Sequence, residues 1–577
     1  MTLESLMNKS IREIFEYLST DDVLRAFYGL NTRLNVLICD HIENHDGLFQ
    51  CISKPLFDKI CIEYLPKNQH RIRSLYLSDN NNSPQHIECF LDSNFHLRDF
   101  TQLRSLTLKH IHNDNTLTRI ISEFSHLPLL TKLKLCQFHI PNHPQHQMKF
   151  VSRIWNLPKL AHITLNIIPE YKCCFPAPTA ISPNVEHLFV TGVYFASTQM
   201  DDLFRSTPRL RSLLVEMTCE NSIKPYSVVL PSLNHLHITI HSGEKNAIKK
   251  LLGNLPNLNT LKIEMFNFCL NGNDWETIIT KRLLKLKQFA FKIEDDFSAG
   301  SIINTEMAQL LETFRSQFWI DTHQWFVQFD LFETDEYSLY TLPYAFEDFS
   351  RLPILSKSTC PDDYKYFHAY DRVTNLSSPL LSHGNKSQFH FHNLHQLSIK
   401  CPIYQSGWSF ISNLNYLHTL SLYWYDGGKS VCSLLQSIID RAPKLKSLRL
   451  LTLLSPSAIS QMISFRYKSS SIRQLDLQPL GDWYDKQECE ILKRSPLGMQ
   501  CETLCIRVEN RACIFDIVDT MTNLRSLNVR SRDDTWKENV TSDDDELLLW
   551  LKKCLPSTCT ITRDTLSQSR HIRLWIR

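Results

Sequence analysis

A phrase of eight residues recurs through the chain and limits what it can fold into. Its clearest copy is Pro256-Asn257-Leu258-Asn259-Thr260-Leu261-Lys262-Ile263, the pattern Pro-x-Leu-x-x-Leu-x-Leu, with Ile, Val or Phe sometimes replacing Leu. The Leu-x-x-Leu-x-Leu part begins at Ile72, Leu103, Leu130, Leu160, Val185, Leu210, Leu233, Leu258 and Leu286. It resumes at Leu394, Leu417, Leu445, Ile472, Cys501 and Leu524. These fifteen copies step by about 27 residues in the first run and 26 in the second. In seven of them a Pro stands two residues before the first apolar position: Pro128, Pro158, Pro183, Pro208, Pro231, Pro256 and Pro443. An offset held that often marks a conformational requirement. Leu261 and Ile263 alternate with Thr260, Lys262 and Glu264. Period two is the mark of a strand with one buried and one wet face.

Helix-length amphipathic stretches separate the copies. In 242–253, Ser242 is placed to cap a helix, Ile248, Leu251 and Leu252 share one face, and Gly253 can end it. Pro256 then forbids further helix and leads into the next strand. Leu117–Phe124 and Ser430–Ile439 read alike. One strand and one helix cannot bury their apolar side alone, whereas stacked neighbours can. Spelling and period resemble leucine-rich repeats. The expected fold is therefore α/β: a solenoid of about sixteen repeats, with a curved parallel sheet inside and helices outside. Position 80 carries the one Asn where many such proteins keep a buried ladder. Elsewhere that place holds Ile111, Phe138, Ile168, Val193 or Phe266.

A repeat array explains how 577 residues can avoid splitting into many globular domains. Lys and Arg number 62 against 60 Asp and Glu, a balance that argues against nucleic acid or an anionic membrane as partner. With only 13 Gly, phosphate-cradling glycine loops are not expected. The eighteen Cys are scattered, many at core-type positions, as free thiols in a reducing compartment would be. No secretory signal and no spanning helix are read, so a cytoplasmic or nuclear location is expected.

Residues 1–45 do not carry the phrase. Ile11, Ile14, Phe15 and Leu18 fall at helical spacing, and Ser19-Thr20-Asp21-Asp22 has the form of a capping box opening a second helix near Asp21. Val23, Leu24, Phe27, Leu30, Leu34, Leu37 and Ile38 follow. A helical cap sealing the array is one reading. The run from Ile14 to Phe27, continuing to Leu34, also resembles an F-box. Leu6 stands at that family's opening Leu, Met7 replaces its Pro, and Leu34 stands where Trp is usual. The resemblance implies a substrate-recognition subunit of an SCF-type cullin ubiquitin ligase, without catalysis of its own. It assigns adaptor binding, and through the adaptor a cullin, to Leu6, Ile14, Phe15, Leu18, Val23 and Leu24. The repeats would hold a protein substrate. The alternative is a leucine-rich-repeat binding scaffold with no ligase role.

Residues 46–70 read as a linker helix through Leu56, Ile60, Ile62 and Leu65, and 71–331 as the first array, with Trp325–Leu331 a degenerate repeat strand. Residues 332–392 form an aromatic-rich insertion or irregular repeats, including Tyr337, Tyr340, Tyr344, Phe346, Tyr364, Tyr366, Phe367 and Tyr370. They either form an interface or pack as local core. Residues 393–577 are the second array with a C-terminal cap. There Asp543–Glu546 open a helix ending in Lys552 and Lys553, and Ile572–Ile576 form a final edge strand.

No catalytic, cofactor or metal motif is read. Gly428-Lys429-Ser430 ends like a phosphate-binding loop, but Tyr423 stands where the required Gly would be, and Ser430 serves as a helix cap. His390, His392, His395 and Cys401 lack ligand spacing, as do the pairs Cys501/Cys505 and Cys554/Cys559. On the wet face, Phe189 and Tyr423 are candidate substrate anchors, and Arg449, Arg507 and Arg530 could line a basic stripe for an acidic or phosphorylated segment.

Overall fold

Twelve of the fifteen copies of the phrase turn through one backbone hydrogen bond before they extend. The N–H of the first apolar residue donates to the carbonyl three residues back: Leu130 to Leu127 at 3.2 Å, Leu258 to Leu255 at 3.3 Å, Leu445 to Ala442 at 3.1 Å. Pro128, Pro256 and Pro443 are thus the second residue of a four-residue turn, where the fixed φ of Pro fits without strain. This explains the constant offset. After the turn the chain extends, and all forty-five apolar positions of the fifteen copies are buried.

The computed structural model describes residues 6–576 apart from 19, 45–48, 50–51, 94, 142, 169–173, 219–226, 297–302, 334–335, 362–367, 379–388, 402–410, 412, 425–430, 453–466, 481–482, 537–544 and 565–570. The chain is mixed α/β, with large, mostly parallel sheets and helices in the connections. It divides into two compact units: Met1–Glu216 together with Leu555–Arg577, and Met217–Cys554. Among the described residues no helix is long and apolar enough to cross a membrane.

In the first unit the strands β1 (Ser74–Ser78), β2 (Ser105–Ile111), β3 (Lys132–Phe138), β4 (His162–Ile167), β5 (His187–Ala196) and β6 (Ser212–Thr218) lie in chain order. Pairing keeps the phrase in register: Leu75 faces Leu106, Leu106 faces Leu133, Leu133 faces Ile163, and Ile163 faces Leu188. Between strands run the helices Asp114–Glu123, Pro144–Trp155 and Ser197–Ser206. They bury Leu117, Ile120 and Ile121; Phe150, Val151, Ile154 and Trp155; and Met200, Leu203 and Phe204. Gly192 interrupts β5 with φ +84°, where a Cβ would come within 1.8 Å of the Ile167 carbonyl oxygen.

Before β1 come α1 (Asn8–Glu16), α2 (Thr20–Phe27) and α3 (Thr32–Asn44). The expected box at the start of α2 involves Ser19, outside the described residues. The linker is helical from Lys54 to Asn68, with a π turn over Ile60–Tyr64. Phe57, Ile60, Cys61, Tyr64 and Leu65 are buried, whereas Ile62, expected inside, is 75% exposed. Asn80 builds no ladder: its side chain accepts from the N–H groups of Asn82 and Ser83 and closes the turn after β1.

The C-terminal residues Thr560–Arg563 and Ile572–Trp575 pair antiparallel and pack in the first unit. Ile572–Trp575, expected as an edge strand, is buried at all four residues. Its Trp575 ring meets Phe57 and His86, with centroids 5.4 and 5.5 Å apart. Buried Arg573 donates from Nη2 to the Asp79 carbonyl and, at 2.8 Å, to the Asn80 carbonyl.

In the second unit β7 (His235–Ile240), β8 (Thr260–Phe266) and β9 (Gln288–Asp296) are parallel and in register, Leu236 to Leu261 to Phe289. The helix Lys245–Gly253 buries Ile248, Leu251 and Leu252 as expected, but Glu244 holds its N-cap position, so Ser242 does not cap it. After β9 the pattern changes. The strand β10 (Phe326–Leu331) pairs antiparallel with β11 (Glu336–Leu342), which pairs antiparallel with β9. Trp325–Leu331 is therefore not a repeat strand. All six β10 residues are buried, a two-sided burial that alternation cannot signal.

The sheet that follows joins β12 (Asp348–Phe349) to β14 (Asn375–Ser378), β15 (Gln396–Cys401), β16 (Thr419–Trp424), β17 (Ser447–Thr452), β18 (Gln474–Asp476), β19 (Thr503–Val508) and β20 (Ser526–Ser531), all parallel. The short β13 (Leu355–Ser358) pairs instead with β10. β14 carries a further copy of the phrase: Val373 and Leu376 are buried, and Leu376 faces Leu397. The helix Val431–Arg441 precedes β17 as expected, its Ser430 lying outside the described residues. The helix Glu546–Cys554 opens at Asp545, which accepts from Leu548 N–H at 3.0 Å.

Asp330 sits wholly buried in β10. Its carboxylate accepts from Gln328 Nε2 at 3.0 Å, Ser356 Oγ at 2.6 Å and Tyr340 OH at 2.6 Å. Burial still outweighs these bonds and lifts its pKa from 3.8 to about 6. The folded chain thus keeps a proton there that the unfolded chain has released, so this contribution to stability is complete below 3.8 and is lost as pH rises through about 6. An Asp330→Asn variant does not titrate. Its unfolding free energy relative to the parent should climb by on the order of 3 kcal/mol across that window and then level off. Urea melts of both proteins at a series of pH values measure this, and a flat difference would show that the carboxyl titrates alike in both states.

Candidate functional site

The residues between the buried apolar positions form the opposite sheet face, where a ligand could lie. On β7, β8 and β9 the central row is His237, Lys262 and Ala290, aligned by register. Glu264 and Lys292 follow one step along. His237 Nε2 lies 3.1 Å from Glu264 Oε1, and Lys292 Nζ lies 2.6 Å from Glu294. Burial would raise the Glu264 carboxyl, but the His237 hydrogen bond and the Lys292 and Lys262 charges override it and hold the pKa low.

Part of this face is already covered. The segment after Pro343 crosses it and buries Phe346, whose ring centroid lies 4.5 Å from Lys262 Nζ and 6.4 Å from the His237 ring. Burial under this cover, reinforced by Arg372, pulls the Lys262 ammonium below its ordinary pKa against the opposing pull of Glu264, Glu347 and Asp348. The aromatic cluster expected at 332–392 is local core in the part described. Tyr337, Tyr340, Tyr344, Phe346 and Tyr370 are buried, and Tyr340 OH reaches both Asp330 and Tyr370 OH, the latter at 3.1 Å. Tyr364, Tyr366 and Phe367 lie outside the described residues.

Beside this cluster is a cavity of about 220 Å³ walled by Phe266, Phe332 and Tyr337 and edged by Glu294, Asp295, Asp296 and Glu336, with Arg351 opposite. Arg351 pairs with Glu336, and burial raises the Asp295 carboxyl. The chemistry favours a cation against an aromatic wall. Local spacing does not reveal it, because its walls come from segments up to 85 residues apart in the chain, Phe266 to Arg351.

The five residues expected to meet a substrate do not form one group. Phe189 is half-buried on β5 in the first unit, and the other four lie in the second. Tyr423 is half-buried on β16, in register with Lys400 and Leu451. Arg449 is committed to Asp476, Nε to Oδ2 3.0 Å, a carboxyl raised by burial more than Arg449 lowers it. Arg507 and Arg530 face each other across β19 and β20, and the Arg530 guanidinium lies 5.4 Å from the Trp483 ring centroid. The basic stripe thus reduces to Arg507 and Arg530, the latter beneath Trp483, a residue that sequence spacing did not single out.

At the N-terminal helices, Phe15, Val23 and Leu24 are buried, with Phe15 packed on Phe27 and His41 at 5.2 and 5.5 Å. They hold the three helices together. Leu6, Ile14 and Leu18 are half-buried. Leu34 is 3% exposed, so it too belongs to the helical core. Exposed apolar side chains are Met7 at 75%, Tyr17 at 90%, Leu30 at 61% and Val36 at 57%.

The histidines follow no common pattern. His395 is exposed and meets the His418 ring edge-on at 5.3 Å, while His392 pairs with Asp371. Cys501 and Cys505 are buried, and the twelve described cysteines are free thiols. No protein-family model matches the chain, and a search of curated proteins returns no match.

Truncating Phe346 to Ala would strip the cover from Lys262 and leave a cavity, at a cost of about 3–5 kcal/mol. A shift of the urea midpoint that small surface substitutions do not produce is the expected result. An unchanged midpoint would mean that the segment merely rests on the face.

Proposed function

We propose that this chain is a leucine-rich-repeat solenoid behind an F-box, acting as the substrate-recognition subunit of an SCF-type cullin ubiquitin ligase. The observation that carries the reading is the pairing of two unlike parts. One is the in-register stack of phrase copies, which offers long rows of side chains for protein binding. The other is a group of three helices ahead of the first phrase copy, with Met7, Tyr17, Leu30 and Val36 on its surface. Large apolar side chains left outside so small a group suit a docking face. The adaptor would meet these together with the half-buried Leu6, Ile14 and Leu18, while Phe15, Val23 and Leu24 support the surface from within. A protein substrate held on the repeats would be kept at high effective concentration near the ligase. Nothing in this role requires chemistry by the chain itself.

The test is co-purification of the full chain with the recombinant adaptor, against an Ile14→Asp/Tyr17→Asp variant. Tyr17 is exposed and Ile14 half-buried, so circular dichroism should be unchanged. A stoichiometric complex lost in the variant is expected. A well-folded parent chain that does not bind would sink the ligase reading and leave a repeat scaffold with a helical cap.

A further inference from the structure

Three ligating side chains converge at the entrance of two neighbouring strands of the second unit. Tyr370-Asp371-Arg372-Val373 leads into β14, and Phe391-His392-Asn393-Leu394 leads into β15. In the first of these turns Val373 N–H donates to Tyr370 O at 3.0 Å. Asp371 and His392 hold the same place in their copies, the place where seven other copies carry Pro. Because β14 and β15 are paired in register, the two turns stack. Asn393 Nδ2 donates to Asp371 O at 2.9 Å and ties them together.

His368 completes the group from the turn preceding Asp371. Its Nδ1 lies 2.8 Å from Asp371 Oδ2, and His392 Nδ1 lies 3.0 Å from Asp371 Oδ1. One ligand atom from each of the three lies within 4.8 Å of the other two. The neighbouring rings of Tyr370, Phe389 and Phe391 are buried and pack on one another, with centroids 5.2 and 5.6 Å from Tyr370. The His368 side chain is 75% exposed. The group therefore has a dry flank and an open one.

We propose that His368, Asp371 and His392 bind a divalent transition-metal cation, Zn²⁺ foremost, with the fourth position open to water or to a donor from a partner. Two imidazoles and one carboxylate suit zinc, whereas calcium and magnesium take oxygen ligands. Each imidazole Nδ1 stands at hydrogen-bond distance from a different Asp371 oxygen, and the ligand atoms of the three side chains lie within 4.8 Å of one another. Around a tetrahedral cation with bonds of about 2.0–2.1 Å they would stand roughly 3.3 Å apart, so binding would draw the two imidazoles and one carboxylate oxygen together around the ion. The ion would replace the hydrogen bonds to Asp371 as the clasp between two turns that lack Pro. This site does not depend on the ligase reading.

The experiment is equilibrium dialysis of the full chain against Zn²⁺, with Co²⁺ as a spectroscopic probe, because eighteen cysteines could also take zinc. One equivalent of Zn²⁺ should be held by the parent chain. Its affinity should fall in His368→Ala and His392→Ala by more than the ~10- to 100-fold typical of losing an outer-shell partner. His395→Ala, outside the group, should bind like the parent. Bound Co²⁺ should show visible d–d bands without thiolate charge transfer. Equal retention by parent, His368→Ala and His392→Ala would overturn the site, as would a thiolate-dominated cobalt spectrum. His368 is exposed, so His368→Ala keeps the test valid should His392→Ala fail to fold.

Discussion

The parallel strands depend on one backbone contact repeated from copy to copy. The carbonyl of the phrase's second residue accepts two N–H groups from the next copy. Arg73 O takes Arg104 and Ser105, Asn259 O takes Lys287 and Gln288, and Lys446 O takes Arg473 and Gln474, all at 2.8–3.1 Å. This locks register before any side chain is considered. Side chains alternate along a strand, so a slip of one residue would turn Leu261 and Ile263 outward and Lys262 inward. Hydrophobic burial and backbone pairing therefore select the same alignment. The Pro turn sets the direction of entry, which explains how copies of uneven length between phrases still deliver strands in step.

Where the phrase is spelled out, the fold is legible, because period-two burial and the turn are both written locally. Legibility fails where burial comes from both sides. β10 is buried at every residue, so Gln328 and Asp330 look like surface positions in the sequence, yet they face Ser356 and Tyr340 inside. The copy at Val373 escapes notice because Ser378 stands where the third apolar residue belongs. The linker fails differently. The buried residues Phe57, Ile60, Cys61, Tyr64 and Leu65 keep helical spacing, and Ile62 falls off that stripe, so apolar character alone misplaces it while Cys61 and Tyr64 supply the inner face. Nor can spacing divide the apolar residues of α1–α3. Ile11, Ile14, Phe15 and Leu18 fall on one helical stripe, yet Ile11 and Phe15 are buried while Ile14 and Leu18 are half-buried.

The face opposite the core is less open than alternation implies. Phe346 lies over Lys262, and Trp483 lies over Arg530. In both places an aromatic ring from a connection covers a cation on a strand. A desolvated cation needs compensation, and the ring quadrupole provides some of it. Lys262 also keeps Glu264, Glu347 and Asp348 near, and its pKa still falls, so burial is the stronger influence. Rows of strand residues read from sequence thus overcount the side chains that can meet a partner. Sites formed where connections return to the sheet, such as the cavity beside Tyr337 or the turns at Asp371 and His392, are built from residues distant in the chain and escape motif searches.

The first strand poses the usual problem of an end. β1 has a sheet neighbour on one side only, and a bare terminus invites pairing with another chain. The C-terminal hairpin answers it in the first unit. Arg573 satisfies the carbonyls of Asp79 and Asn80, while Trp575 joins Phe57 and His86 beside the strand. The cost is a buried guanidinium next to buried titratable groups. Burial lowers the His86 pKa to about 3, so the ring stays neutral, and raises the Asp79 carboxyl to about 7 in spite of the Ile87 N–H and Arg573. A charged end-seal is stable only because Arg573 finds carbonyl acceptors rather than apolar surface. Replacing it with a hydrophobic residue would take a donor from both carbonyls and leave the Asp79 carbonyl with His112 Nε2 at 3.0 Å, which is the more expensive arrangement in a dry site.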